Sequence, residues 1–280
     1  MTNTLKSDKI AGAIFGFAIG DAMGATTEFM TEVQIQKTYG KVVNIIGGGW
    51  LNLKAGQITD DTQMSMCIME AIMSTNNIIN CSREDEIAKE FIQNVSNNFI
   101  NWYKSNPIDI GAQCSRGIRN LIQGAKTEIE PTALGNGSLM RALPCSLLGL
   151  FNCNVLQGRL THNNLKCDQI VSEYSRLIQN HLDGNLLMLN IKGLMEPSGY
   201  IVNTYNTALY WSSNFNFEDA IIGAVNHGGD ADTIGAITGS LSGAKYGYSA
   251  IPLKWINQLD QDTKNSLNIF INFVIKCLQI

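Results

Sequence analysis

Along most of the chain apolar residues recur at steps of three and four, the spacing that lines one face of an α-helix. The pattern predicts helices over 61–74, 83–104, 111–123, 138–150, 169–182, 200–212, 217–225, 233–247 and 263–278. Ser82 followed by Asp85 is a variant of the capping box for the second of these, and Pro107 ends it. Strand evidence is confined to 41–46, which is short. Nothing alternates strand and helix, and no linker or low-complexity stretch divides the chain. The expectation is an all-α, single-domain bundle over residues 1–280.

One pattern is not amphipathicity. Gly12, Gly16, Gly20 and Gly24 recur every fourth residue, and so do Gly235, Gly239, Gly243 and Gly247. Each set would line one helix face. A glycine inside a helix costs about 1 kcal/mol relative to alanine, so something must offset two such runs. Close approach of two backbones would do so, and the two segments are expected to pack centrally, either on each other or each against small-residue neighbours elsewhere.

Composition narrows the class. Apolar residues make up 45% of the 280 positions, enough for a sizeable core, and the net charge of −4 argues against a nucleic-acid partner. Seven cysteines without a CxxC pair suggest neither a disulfide framework nor a zinc knuckle. No signal peptide is visible, and the apolar run 10–19 stops at Asp21, too short for a span of roughly 20 residues. A cytoplasmic protein without a transmembrane segment is expected.

Two loops carry the candidate chemistry. Thr59-Asp60-Asp61 opens a helical pattern, and adjacent carboxylates there need neutralising by a helix N-terminus or by a cation. Ordinary capping explains that motif taken alone. Gly228-Gly229-Asp230-Ala231-Asp232-Thr233 repeats the same grammar. It is not an EF-hand, because Ile234 and Leu241 stand at positions five and twelve. Four carboxylates and two hydroxyls form an all-oxygen donor set that suits Mg²⁺ or Mn²⁺ better than zinc. So many acids make two ions plausible. Neither HExxH, GxSxG nor a Walker motif occurs. Trp50, after Gly47-Gly48-Gly49, is the best candidate for an exposed aromatic touching a protein substrate. Arg116 and Arg119, one turn apart, face either an acidic target or plain solvent.

At these residues the sequence resembles the ADP-ribosylglycohydrolase family. The matching segments are GFAIGDAMGATTEF, GQITDDTQM, GNGSLMRALP, LTHNN and VNHGGDADTIGAITGSLSGAKYG, in family order from about Ala11 to Pro252. IIGGGWLNLKAGQITDDTQMS, PIDIGAQCSRGIR and SGYIVNT are similar to the branch that acts on nitrogenase reductase. The resemblance implies an orthogonal helix bundle with a binuclear site in a central cleft. It implies metal ligands at Thr59, Asp60, Asp61, Asp230, Asp232 and Thr233, with Asp60 also near substrate. Glu28 matches an acidic residue beside the metals, and Asp109 one implicated in catalysis. Gly135, Asn136, Gly137 and Ser138 match a loop cradling ADP-ribose, His162 a ribose or phosphate contact, and Tyr200 a residue packing on the nucleotide. Asn164 and Leu165 depart from the histidine or proline often found after THN, which touches the ribose or phosphate contacts but not the metal ligands.

The expected activity is hydrolysis of the N-glycosidic bond between ADP-ribose and an arginine, through an oxocarbenium-like transition state. Asp109 is expected to move the proton and Glu28 to hold a metal or water; the reverse assignment stays open. The expected cofactors are two divalent cations, Mn²⁺ or Mg²⁺. The expected partner is an ADP-ribosylated protein, with nitrogenase reductase and a nitrogen-sensing signalling protein as candidates, and the chain is expected to be monomeric. Rivals are a hydrolase of serine, acetyl or nucleic-acid adducts, a silent ADP-ribose binder, and a metal-dependent phosphohydrolase.

Overall fold

A computed structural model describes residues 2–79, 84–185 and 191–280. Ser82, and with it the expected Ser82–Asp85 cap, lies outside the described residues. The helices are α1 (Asn3–Gly24), α2 (Glu32–Tyr39), α3 (Asp60–Ser74), α4 (Glu84–Lys104), α5 (Ala112–Ile122), α6 (Leu143–Leu147), α7 (Phe151–Arg159), α8 (Leu165–Asp183), α9 (Ile201–Asn214), α10 (Phe217–Asn226), α11 (Ala231–Tyr246), α12 (Leu253–Gln258) and α13 (Gln261–Leu278). Two short 3₁₀ turns, Asn136–Ser138 and Tyr248–Ala250, complete them. Among the described residues, pairing of extended backbone is limited to three isolated bridges, Thr31 with Gly228, Gly48 with Leu53 and Gly135 with Tyr200.

The centre is the pair α1 and α11, which form the most extensive contact in the molecule. The two glycine faces meet along it, antiparallel. A β-carbon added at Gly16 would sit 2.3 Å from the Gly239 carbonyl oxygen, and one at Gly20 would sit 2.0 Å from that of Gly235. Only hydrogen fits in such a seam, which is why the sequence tolerates the helix cost of these glycines. Both helices are apolar nearly all round and buried over most of their length, as central helices are. Helices α8, α9 and α10 pack on α11, and α3, α8, α10 and α13 pack on α1. Antiparallel crossing places the C-terminal end of α1 beside the N-terminal end of α11, since Gly24 abuts Ala231. That junction is where the candidate chemistry lies.

One expectation needs correction. The run 138–150 is not one helix: a 3₁₀ turn and the five-residue α6 share it, then Gly149 turns at φ +69° and α7 follows. Pro144 sits in the first turn of α6, where its missing N–H costs nothing, so the chain restarts there rather than continuing. Residues 41–46 form no strand. Val42 has its N–H and C=O satisfied by the side-chain amide of Asn226, at 2.9 and 2.8 Å, in place of a neighbouring strand. Helices α2, α7 and α12 were not expected; α2 is marked by a capping box between Thr31 and Gln34.

Candidate active site

The site is organised by a residue the sequence reading used only as a helix boundary. Asp21 is fully buried in the otherwise apolar α1. Its carboxylate accepts from Thr59 N–H at 3.0 Å, Thr59 Oγ1–H at 2.8 Å, Thr62 N–H at 3.1 Å and the Thr62 hydroxyl. These bonds pin the start of α3 to α1. Thr59 is the N-cap of α3, and its Oγ1 also accepts from Asp61 N–H at 3.4 Å. Asp60 and Asp61 therefore stand at the positive end of α3. Burial pushes the Asp21 carboxyl up to about 6, although all four hydrogen bonds act to lower it.

The second loop is clamped to the end of α1. Phe29 N–H donates to Gly229 O at 2.6 Å, and Gly229 N–H donates to Met30 O at 2.8 Å. Gly229 turns at φ +64°, and a β-carbon there would lie 1.8 Å from Pro197 O, so the position admits only glycine. Beyond it Asp230 is held by the side-chain amide of Asn136, which also donates to Thr204 Oγ1 at 3.0 Å. Thr233 Oγ1–H donates to Asp61 Oδ2 at 3.2 Å and joins the two loops.

Together they floor a cleft of about 380 Å³. Asp60, Asp61, Asp230, Asp232 and Thr233 line it, and so do Glu28 and Asp109. One carboxylate oxygen each from Glu28, Asp109 and Asp232 lie within 4.8 Å of one another. Asp60 accepts from Gly111 N–H at 3.2 Å, and Asp109 lies close enough to repel its charge. Gly135, Asn136, Gly137 and His162 line the same cleft. Thr59 does not face it, being turned to Asp21.

Ser138 and Tyr200 do not line the cleft either. Ser138 is fully buried against Gly158 of α7, because the 3₁₀ turn rotates it inward. Tyr200, 41% exposed, caps α9 and supports the glycine loop by backbone pairing with Gly135. Arg116 is paired with Glu130 at 2.6 Å on the surface.

His162 is buried, and Thr161 Oγ1 lies 2.7 Å from its Nδ1. Thr161 Oγ1 in turn accepts from Arg141 at 2.7 Å. Arg141 is itself fully buried, stacked 4.8 Å from the Phe99 ring centroid. Burial, then the charges of Arg141 and Arg116, hold His162 well below its ordinary value, so it is neutral.

The carboxylates carry the opposite signature. Burial pushes Asp60 up to about 8, with Asp109 adding repulsion, and pushes Glu28 up to about 8 against the hydrogen bond from Trp50. Burial and then the Asp232 charge hold Asp61 well above the usual carboxylate range; Asp232 is raised by burial and then Glu28. Asp61 Oδ1 is buried and has no hydrogen-bond partner among the described residues. An orphaned anionic oxygen among other carboxylates is costly unless it is protonated or meets a cation. The all-oxygen donor set fits hard divalent ions.

The sign of the shifts gives a prediction for metal-free protein. Carboxyl groups raised from 3.8 (Asp60) and 4.5 (Glu28) to about 8 contribute stability that is complete below those ordinary values and is lost as pH rises through 8. In EDTA the melting temperature is therefore expected to fall by several degrees between pH 5.5 and 8. Mg²⁺ or Mn²⁺ is expected to cancel that fall if the ionised carboxylates take up an ion. Thermal scans across pH, with and without metal, check it; a metal-free melting temperature that climbed over this interval would contradict it.

Asp21, Thr62, Thr161 and Arg141 were missed by sequence reasoning. The available signal for Asp21 was a lone carboxylate inside a helix that is apolar on every side, a position that requires partners.

Comparison with known proteins agrees with this geometry. The ADP-ribosylglycohydrolase family model matches residues 1–186 and 168–274. The chain is 35% identical over 292 residues to an ADP-ribosyl-[dinitrogen reductase] glycohydrolase of Rhodospirillum rubrum, covering 95% of each. It is 29% identical to an ADP-ribosylarginine hydrolase of Pseudomonas putida, covering 90% of this chain and 74% of that one. A solved structure described as an ADP-ribosylglycohydrolase-related protein complex superimposes with a TM-score of 0.79 at 25% identity, covering 99% of this chain and all of the other. A bundle centred on paired glycine helices, two acidic loops at their junction and these likenesses lead to one assignment: the chain belongs to the ADP-ribosylglycohydrolase family.

Proposed function

We propose that this glycosyl hydrolase releases ADP-ribose from the guanidinium nitrogen of a modified arginine, with two divalent cations, Mg²⁺ or Mn²⁺, in the acidic cleft. The observation that carries it is the convergence of both acidic loops on the orphaned Asp61 Oδ1, with Glu28 and Asp109 alongside. Of the Rhodospirillum and Pseudomonas relatives, the second is named for ADP-ribosylarginine and so supports arginine as the acceptor. Nitrogenase reductase is the candidate target on the first of these.

Asp60, Asp61, Asp230, Asp232 and Thr233 would hold the ions; Thr59, turned to Asp21, acts behind them by fixing the start of α3. Such ions supply Lewis acidity toward ribose hydroxyls and lower the pKa of water. The protein's own steps follow from the geometry. Gly135–Gly137 and His162 form the binding wall; neutral His162 binds without adding charge. Glu28 is held by the Trp50 N–H at 2.5 Å and so serves as a fixed acceptor that orients water. Asp109 lies in the cleft beside Asp60, and burial raises its carboxyl above the ordinary value, which suits it to proton transfer. As the C1–N bond breaks, its electron pair goes to the guanidinium nitrogen. Water oxygen bonds to C1, and its proton passes by way of Asp109 to the departing guanidine.

Release of free ADP-ribose from an arginine-ADP-ribosylated peptide tests the proposal. Release is expected with Mn²⁺ or Mg²⁺ and not with EDTA, and Asp109→Asn is expected to lower kcat by about 10²–10⁴-fold, the range for losing a general acid–base. If the protein cleaves a serine adduct but leaves the arginine adduct intact, the arginine reading is wrong while the family chemistry stands.

A further inference from the structure

Two aromatic side chains stand exposed at the mouth of the cleft. Phe29 is 66% exposed and Trp50 54% exposed, and both line the cleft. Their ring centroids are 5.3 Å apart, tilted at 50°. Phe29 adopts φ +61°, a conformation costly for a bulky residue, and it is kept there by its N–H bond to Gly229 O. Strain is thus maintained to present an aromatic ring to solvent rather than to bury it. The neighbouring Glu28, bonded to Trp50 Nε1, belongs to the carboxylate cluster with Asp109 and Asp232. The platform therefore lies one side chain away from the reacting centre. A pair of π faces beside a strongly anionic floor selects a flat cation.

We propose that Phe29 and Trp50 form the leaving-group platform: the guanidinium of the modified arginine stacks on them, and they set selectivity for a cationic acceptor. This rests on the arginine reading above. The ADP-ribose half of the substrate has its own lining residues, Gly135, Gly137 and His162. The aromatic pair is therefore free to serve the acceptor side. Trp50 has a second part as a positioning residue, because its N–H fixes Glu28.

The two parts separate by substitution. Phe29→Asn removes the ring while asparagine tolerates the left-handed backbone. It is expected to raise KM for an ADP-ribosyl-arginine peptide by about 5- to 30-fold, the span of a cation–π contact, with kcat little changed. Affinity for free ADP-ribose should stay within about twofold. Trp50→Phe keeps a ring and loses the N–H, so kcat should fall while KM holds. Charge is tested by product-side inhibition: agmatine should inhibit at least about fivefold better than its neutral isostere N-carbamoylputrescine, and Phe29→Asn should erase the difference. Equal inhibition by the two compounds, unchanged KM in Phe29→Asn, or weakened ADP-ribose binding in that variant would each overturn the platform. If wild type leaves arginine adducts uncleaved, the reading beneath the proposal has failed instead.

Discussion

Asp61→Asn is expected to abolish turnover and, at the same time, to make the metal-free protein more stable. The residue is 1% exposed; Oδ2 accepts from Thr233 at 3.2 Å and Oδ1 has no partner among the described residues. Burial and the charges of Asp232, Asp21, Asp60 and Asp230 all oppose its ionisation. A neutral amide of the same shape relieves that repulsion. Loss of one buried like charge is expected to raise the melting temperature in EDTA by about 2–4 °C, the shift that roughly 1 kcal/mol gives in a chain of this size. The opposite sign applies to function. An ion that binds Asp61 loses an anionic ligand, and kcat/KM is expected to drop by about 10³-fold or more, the loss expected when several kcal/mol of transition-state charge stabilisation disappears. Added Mn²⁺ should also stabilise the variant much less than wild type. Thermal scans in EDTA and in Mn²⁺, with ADP-ribose release assays, check all three. A destabilised metal-free variant that retained turnover would mean that Asp61 is a packing residue and that the cation site lies elsewhere.

Such opposed signs belong to a site whose parts were unequally visible in the sequence. The two acidic loops announce themselves because adjacent carboxylates next to a helix start need compensation wherever they fold. The glycine faces were legible for a similar reason: a repeated helix penalty has to be offset, and backbone contact is the simplest offset. Asp21 was hidden because one carboxylate at the end of an apolar run looks like a boundary; only tertiary packing reveals that it accepts four hydrogen bonds from Thr59 and Thr62. Ser138 and Tyr200 were placed by likeness to a motif, and motif position does not fix direction. The 3₁₀ turn sends Ser138 into the core, whereas Asn136, two residues earlier at the start of the same turn, has its amide on Asp230. The bond from Trp50 to Glu28 joins residues 22 positions apart through a loop, which no periodicity could signal.

The largest effect on the fold is expected from the seam. In Gly20→Ala the new β-carbon would lie 2.0 Å from Gly235 O and 2.3 Å from Gly235 C, both backbone atoms that cannot rotate away. The helices must separate by more than 1 Å to accept it, by the roughly 3.3–3.6 Å that carbon and oxygen need. Overpacking usually costs about 1–3 kcal/mol, and here no flexible side chain absorbs it, so the upper end or beyond is expected. That is a large part of the roughly 5–15 kcal/mol that holds a typical protein folded. Separation also acts on the site, because α1 carries Asp21 and leads into Glu28, while α11 follows its N-cap Asp230 and carries Asp232 and Thr233. Gly20→Ala should therefore lower the denaturation midpoint and weaken Mn²⁺ binding together. Gly193→Ala, in open space and without a positive φ, is the matched control and should leave both within error. Loss of stability with unchanged Mn²⁺ affinity in Gly20→Ala would show that the two acidic loops hold their spacing independently of the seam. Joint loss would mean that the glycine contact is part of the active site, acting through the distance it sets between the two loops.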